Sequence, residues 1–252
     1  MKTRPAHLLL AAAGFIAPAL QAQEQKAPTV NELVAKNVEA KGGAEALKSL
    51  SSVKLTGKML VNGGRFEMAY TQTKKRPGEV RTEATVQGLT MVQAYDGKEG
   101  WKISPFQGRK DPEKMAPDDT KSLIEDAEVD GPLVDWQEKG STVEYLGTED
   151  VDGTQAHKLK VTRKNGDVSY VYLDPEHFLE IRVRTQRTER GAQVEVETDL
   201  GDYEKVGGVF VPFSIESGQK GDPDKQKIVI EKAEANVPVD DAMFQFPAAP
   251  SK

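Results

Sequence analysis

The stretch DGKEGWKISPF, residues 96–106, joins a turn signal to a short strand with large apolar side chains. The Asp-Gly pair that opens it predicts a hairpin, because glycine adopts a positive φ without strain. Trp101 and Ile103 then alternate with polar residues, as they would in a strand with one buried face. Pro105 ends the strand, since proline cannot donate to a ladder. The stretch therefore predicts a hairpin whose apolar face meets either a core or a ligand.

The composition excludes several kinds of site. The chain of 252 residues has no cysteine, which rules out disulfides, thiolate metal sites, a cysteine nucleophile and a lipid-modified N-terminal cysteine. Its formal net charge of −6 argues against a nucleic-acid partner. With 37% hydrophobic and 29% charged residues, the chain can bury one ordinary core and has little apolar surface to spare.

Residues 1–22 have the layout of a secretory signal peptide. Lys2 and Arg4 precede an apolar run over residues 8–19, which is short for a membrane span, and small residues follow as before a cleavage site. An uncleaved anchor is the alternative interpretation. Cleavage leaves residues 23–252, which contain no evident repeat or long linker, so we expect a single exported domain.

The hydrophobic period changes along the chain. Apolar residues at helical spacing predict an amphipathic helix over residues 29–41 and a short one over residues 44–50. From Val53 the period becomes two, and regular turn signals predict an antiparallel meander, typical of a sandwich, a barrel or a strongly curved sheet. A polar loop over residues 107–116 and a helix over residues 117–127 interrupt the strands. This helix must cover something, because its apolar face cannot remain in water.

No arrangement of residues predicts catalysis. His157 and His177 remain after cleavage, and because their spacing is not that of metal ligands, we interpret both as surface residues. The sequence has no GxSxG motif, phosphate-binding glycine loop or dinucleotide fingerprint. The acidic stretches at 117–119 and 222–224 lack the alternating ligands of a calcium loop. We therefore expect no catalytic residue, no metal and no cofactor.

Large apolar side chains are concentrated in the first block of strands. Methionine adapts to irregular apolar partners, which suits a lipid-binding surface, whereas an ordinary core beneath the helices is the simpler interpretation. The candidate lipid-binding residues are Met59, Phe66, Met68, Tyr70, Leu89, Met91, Trp101, Ile103 and Phe106.

A basic turn lies between two of these strands. Lys74, Lys75 and Arg76 directly precede a Pro-Gly pair. Such a cluster is usually the solvated end of a hairpin. At the mouth of an apolar groove it would instead suit a phosphate or carboxylate head group.

Three stretches, in this order, resemble the LolA-like family of periplasmic outer-membrane lipoprotein-sorting proteins. KRPGEVR at residues 75–81 resembles the family's KRP segment, DGKEGWKISPF looks like its DGKxxWxxxPF stretch, and PVDDAMFQFP at residues 238–247 is similar to its closing segment. The opening ELVAKNVEAKGGAEALKSL resembles a long-chain branch of the family. The charged second block of strands, with Arg182 and Arg184, departs from the family pattern.

The resemblance implies a mainly β, α+β fold: a half-open, strongly curved antiparallel β-barrel with helices covering its concave face. In that family an apolar cavity shields the acyl chains of a lipoprotein while it crosses the periplasm. The family's functional arginine, associated with lid contacts and the direction of transfer, corresponds to Arg76. The helix with Leu123 and Ile124 would belong to the lid. The apolar cluster from Trp101 to Phe106 would then line the concave wall.

The leading hypothesis is a monomeric periplasmic carrier, not lipid-anchored, that moves an acylated lipoprotein or lipid from an inner-membrane donor to an outer-membrane acceptor. The first alternative is an envelope sensor that binds lipid or lipoprotein on the same fold. A partner-binding second domain would favour it, and the sequence suggests none. The second alternative is a hydrolase of envelope lipids, which would need a perturbed carboxylate or histidine pair in the cavity.

Overall fold

Residues 27–189 and 191–248 are described by the computed structural model. The signal peptide predicted for residues 1–22 lies outside these ranges. No helix in the described ranges is long and apolar enough to cross a membrane. The described residues form three α-helices and two short 3₁₀ turns: α1 Val30–Ala40, α2 Ala44–Ser49, α3 Pro117–Asp126, and the turns Pro105–Gln107 and Asp241–Met243.

Most of the described chain forms β-strands, all of which belong to one antiparallel sheet. Their bounds are β1 Ser52–Val61, β2 Phe66–Lys75, β3 Glu79–Val86, β4 Leu89–Tyr95, β5 Gly100–Ser104, β6 Arg109–Lys114, β7 Thr142–Val151, β8 Thr154–Thr162, β9 Val168–Leu173, β10 Glu180–Glu189, β11 Ala192–Val206, β12 Val209–Gln219 and β13 Gln226–Ala235. The predicted antiparallel fold with few helices is confirmed.

The strands follow chain order across the sheet except where β1 pairs with β13. That pair joins a first block, β1–β6, to a second block, β7–β13. Strands β6 and β7 are the two edges, so the sheet is open. The prediction of a polar loop over residues 107–116 is wrong in part, because β6 lies there and pairs with β5. The sequence RKDPEK has no period-two pattern, and its charges and proline are typical of an edge strand.

All three helices pack against one face of the sheet, which we call the helix face. Each helix contributes a buried leucine to an apolar cluster with a strand residue on that face. These groupings are Leu33 of α1 with Leu159, Leu47 of α2 with Leu55, and Leu123 of α3 with Val80. The helix at residues 117–127 therefore covers the sheet, as its apolar side predicts.

Trp101 and Ile103 lie on the opposite face of the sheet. They are paired with Ala94 and Val92, which alternate with the helix-face residue Met91 along β4. These four residues form an apolar cluster of their own. The prediction that Trp101 and Ile103 line a wall beneath the helices is therefore wrong.

Residues 236–248, the C-terminal segment, explain this placement. The indole Nε1–H of Trp101 donates to the backbone oxygen of Phe244 at 2.6 Å, and Trp101 is only 1% exposed. The ring of Phe246 meets the indole edge-on, with centroids 6.3 Å apart. Arg81 also donates to the backbone oxygen of Met243 at 2.9 Å. The C-terminal segment therefore covers Trp101 on the opposite face of the sheet, where the helices do not reach.

The opposite face of the second block is densely charged. The side chain of Arg182 pairs with Asp199, and Arg184 pairs with Glu197 at 3.0 Å. The ammonium of Lys225 lies 3.2 Å from Glu197 and 2.9 Å from Asp199. Burial opposes ionisation of Glu197, but hydrogen bonds from Arg184 and Lys225 outweigh it and lower its pKa. These charges therefore satisfy one another.

We expect Phe244→Ala to lower the free energy of unfolding by about 3–5 kcal/mol, because it empties a fully buried aromatic position. Urea unfolding followed by circular dichroism measures this loss. Phe246→Ala is the matched control, since that ring is partly exposed and its removal leaves a smaller cavity. Equal losses for the two variants would contradict the assignment of Phe244 as the anchor of the C-terminal segment.

Candidate functional site

A cavity of about 290 Å³ lies on the helix face. Both blocks of strands contribute to its wall, together with α2, the end of α3 and the loop that follows α3. One side is apolar and is formed by Leu47, Leu50, Val53, Leu55 and Val209, all of which are buried. These residues belong to the main core cluster, so the apolar side of the cavity is continuous with the core.

The other side of the cavity contains paired charges. The ammonium of Lys41 lies 3.0 Å from Glu180, and the guanidinium of Arg163 lies 2.5 Å from Glu128. The hydroxyl of Tyr203 donates to the backbone oxygen of Glu180 at 2.8 Å. Burial and the Glu180 carboxylate raise the pKa of this tyrosine well above its usual value. These groups form a neutral, hydrogen-bonded wall.

Two consecutive acids at the end of α3 also line the cavity. Glu125 accepts from Arg187 at 3.2 Å, yet burial outweighs this contact and raises the pKa of Glu125 to about 7. Desolvation by the surrounding side chains likewise raises the pKa of Asp126, although part of this residue is exposed. Lys74 of β2 faces the same space, and burial lowers the pKa of its ammonium. The cavity therefore disfavours charge on all three side chains.

Six of the predicted lipid-binding residues lie on the helix face beside the cavity. Met59 is opposite Met68 in the sheet, while Tyr70 and Met91 are both opposite Ala84. The six form an apolar strip that runs from buried to exposed positions, with Phe66 57% and Leu89 37% exposed at its end. The strip consists of Met59, Phe66, Met68, Tyr70, Leu89 and Met91.

The remaining apolar predictions have different surroundings. Phe106 lies in the 3₁₀ turn after β5 and is largely exposed. Leu123 is buried in the contact of α3 with Val80, whereas Ile124 points away from that contact and is 43% exposed. None of the twelve predicted site residues lines the cavity itself.

Arg76 connects the β2–β3 turn to the helices. Its Nε donates to the backbone oxygen of Leu50 at 2.7 Å, and its Nη2 donates to that of Leu47 at 3.0 Å. The same Nη2 lies 3.1 Å from the buried carboxylate of Asp130, which follows α3. A cation at the C-terminal end of α2 is favoured by the helix dipole. Arg76 therefore fixes both α2 and the loop that follows α3 to the sheet.

Neither histidine lies in the cavity. His157 contacts the hydroxyl of Tyr145 at 3.1 Å and stacks on Phe178. Burial lowers the pKa of His157, and the positive charge of Lys36 lowers it further. His177 is exposed in a turn, 3.1 Å from Asp174. Within the described ranges, no group of three or more acidic or histidine side chains could hold a metal ion.

Two signals in the sequence point to the cavity residues. Lys74 breaks the apolar alternation of β2 at a helix-face position, opposite Val53. The pair Glu125-Asp126 ends a helix, where cations rather than acids are favoured. The sequence indicates Lys74 only as part of a basic turn. The pair Glu125-Asp126 does not stand out, because solvated acids are common on helices.

The open sheet with its helix-covered apolar face defines a LolA-like fold. A DUF1329 family protein from Desulfovibrio piger and a putative outer membrane lipoprotein-sorting protein domain from Vibrio parahaemolyticus have similar structures. Each match covers 86% of this chain and 97% of the other, with a TM-score of 0.59 and identities of 14% and 12%. A LolA superfamily protein from Nitrosomonas europaea matches over 87% of this chain and 98% of its own, with a TM-score of 0.56 and 11% identity.

No protein-family model and no curated protein matches the sequence. At these identities the three structures establish the fold, and the predicted resemblance to LolA-like proteins is confirmed at that level.

We expect Arg76→Leu to lower the free energy of unfolding by about 1–3 kcal/mol, because it leaves two carbonyl oxygens and a buried carboxylate without their donor. Urea unfolding measures the change. Arg76→Lys should recover only part of it, since an ammonium cannot reproduce the guanidinium fork. Arg65→Leu, in the exposed β1–β2 turn, is the control and should change stability by less than about 0.5 kcal/mol. Similar values for Arg65→Leu and Arg76→Leu would refute the structural role of Arg76.

Glu125 should make the stability of the protein depend on pH. Its folded pKa of about 7 exceeds the ordinary value of 4.5, so the folded state binds the proton more tightly. The contribution of Glu125 is therefore fully present below about pH 4.5 and is lost as the pH rises through about 7. Relative to Glu125→Gln, the wild type should lose at most about 3 kcal/mol between pH 4.5 and 8. Urea unfolding of both proteins across this range tests it, and a pH-independent difference would contradict the raised pKa.

Proposed function

We propose that the protein is a periplasmic carrier that shields the acyl chains of a lipoprotein, or of a related lipid, on the helix face. The observation that carries this proposal is the cavity beneath the helices, beside an apolar strip that reaches the surface at Phe66 and Leu89. Acyl chains need such a cover in water, since burying each methylene stabilises the complex by about 0.8 kcal/mol.

We propose that the helix face is the concave side of the sheet. Strands β3 and β10 are six positions apart in the sheet, which corresponds to about 29 Å if the sheet were flat. Helix α3 has 10 residues, about 15 Å of helix, yet it contacts both strands. A short helix touches two such distant strands only if the sheet curves around it. This supports a half-barrel whose inner side carries the helices.

Cargo binding requires the helices to move. The cavity of about 290 Å³ is close to the lower limit of the range of about 300–1,000 Å³ for small-ligand sites, so it has to widen to hold complete acyl chains. We propose that α2 and α3 form the lid, with Leu123 seating α3 and Ile124 on its outer side. Arg76 would hold this lid closed and influence cargo release.

The proposed cycle needs no catalytic residue and no cofactor. Residues 23–252 would act as one exported domain, after removal of the signal peptide, and receive cargo from an inner-membrane donor before delivering it to an outer-membrane acceptor. The names of the similar proteins from Vibrio parahaemolyticus and Nitrosomonas europaea, which refer to lipoprotein sorting and to LolA, are compatible with this role.

Met68→Asp should reduce uptake of a synthetic dipalmitoylated lipopeptide about tenfold or more, because it introduces a charge into the apolar strip. Native mass spectrometry of protein mixed with the lipopeptide measures the bound fraction. Ala69→Asp is the matched control, since Ala69 is the next residue of β2 and is exposed on the opposite face. Wild-type protein that takes up no lipopeptide, or equal losses in both variants, would exclude the proposed site.

A further inference from the structure

One cation and one anion in the cavity have no direct partner. Among the described residues, neither Lys74 nor Asp126 makes a side-chain hydrogen bond or ion pair. The charges of Lys74 and Arg187 nevertheless act on Asp126, and those of Asp126 and Glu128 act on Lys74. The remaining charged groups of the cavity are paired: Lys41 with Glu180, Arg163 with Glu128, and Glu125 with Arg187. Lys74 and Asp126 therefore differ from the other charged groups of the cavity in having no ion-pair partner, although Glu125 Oε1 and Arg163 Nε are also buried without a hydrogen bond.

Asp126 occupies an unfavourable place for a carboxylate. It is the last residue of α3, and no basic residue lies in the last turn of this helix. The helix dipole puts negative potential at that end, so an acid there is destabilised unless a cation compensates. Arg187 is hydrogen-bonded to Glu125, whereas Asp126 is acted on by the charges of Lys74 and Arg187 but makes no ion pair with either. The residue is exposed at the edge of the cavity, so a ligand can reach it.

Lys74 is equally out of place on its strand. It lies opposite Val53 of β1 and Val80 of β3, both of which are buried. The lysine therefore belongs to an apolar part of the helix face. The end of α3 packs over Val80 through Leu123, which brings Asp126 towards the same space. No ion pair joins the two side chains, and both line the same cavity, so each can receive a charged group of a ligand there.

We propose that Lys74 and Asp126 bind the head group of a zwitterionic amphiphile, with a phosphate at Lys74 and an ammonium at Asp126. The hydrocarbon chain then lies against the apolar side of the cavity formed by Leu47, Leu50 and Leu55. This assignment rests on the proposed carrier function and specifies its ligand class. A zwitterion matches the cavity because it supplies both missing partners and adds no net charge to a neutral wall.

Other head groups complement the pair less well. An anionic head group satisfies Lys74 but brings a second negative charge towards Asp126 and the end of α3. An uncharged head group leaves both side chains without a charged partner and adds the penalty of displacing their water. The structure therefore predicts a ranking of ligands that share one chain length and differ only in the head group.

The test uses three amphiphiles with twelve-carbon chains below their critical micelle concentrations. They are lysophosphatidylethanolamine, which is zwitterionic, lysophosphatidylglycerol, which keeps the phosphate but lacks the amine, and the uncharged dodecyl maltoside. Isothermal titration calorimetry with the wild-type protein measures each dissociation constant. We expect the zwitterionic lipid to bind about tenfold or more tightly than either of the others.

Variants then assign the preference to the two side chains. Asp126→Asn should weaken binding of lysophosphatidylethanolamine about tenfold and leave lysophosphatidylglycerol unchanged or tighter, whereas Lys74→Met should weaken both phospholipids. Asp111→Asn and Lys98→Met, at exposed positions that do not line the cavity, are the matched controls and should leave all affinities unchanged. Thermal unfolding confirms that each variant is folded, and the comparison of ligands on the wild type does not depend on any variant.

The outcomes separate this assignment from the carrier function. Equal binding of all three amphiphiles, or tighter binding of lysophosphatidylglycerol, would overturn the zwitterion site while leaving an acyl-binding cavity in place. The same conclusion follows if Asp126→Asn and Lys74→Met behave like their controls. Absence of binding by every amphiphile, including dodecyl maltoside, would refute the carrier proposal and this inference together.

Discussion

An open sheet of this size must cover an apolar face without a second sheet to pack against it. Three helices do this here, and the longest of them, α1, has only 11 residues. Such short helices bury leucines at a few points and leave space between those points, because ridges of side chains on a helix do not fill a broad surface. The cavity and the partly exposed apolar strip both follow from this incomplete cover. In this fold, the core and the candidate binding surface are parts of one face.

The charges of the molecule are arranged in two contrasting ways. On the opposite face of the second block, Arg184, Glu197 and Lys225 satisfy one another through hydrogen bonds. In the cavity, burial dominates, and it disfavours the charged forms of Glu125, Asp126 and Lys74. A saturated network compensates each of its charges, whereas a charge that burial disfavours is stabilised by a ligand that brings the opposite charge. This contrast makes the helix face, rather than the opposite face, the better candidate for binding a ligand.

The C-terminal segment shows why a recognisable motif need not be a site. The hairpin at residues 96–106 and the closing stretch at residues 238–247 each resemble a family pattern. In the structure these two stretches contact each other. Trp101 donates to the backbone of Phe244, which is fully buried, and Phe246 packs on the indole edge. The motifs are thus two halves of one structural contact on the face away from the helices. Their spacing in the chain, more than 100 residues, concealed that contact from any local pattern.

Local patterns determined much of this protein. Helical spacing of apolar residues predicted α1, which begins after Thr29, and period-two alternation with turn signals predicted nearly every strand. Alternation also predicted that Met59 and Met68 share a face with each other. It could not say which face the helices cover, because a period of two is the same for both sides of a strand. Pairing between β1 and β13 and the docking of α3 and the C-terminal segment decided that, and they alone placed Trp101 outside the cavity and Lys74 inside it.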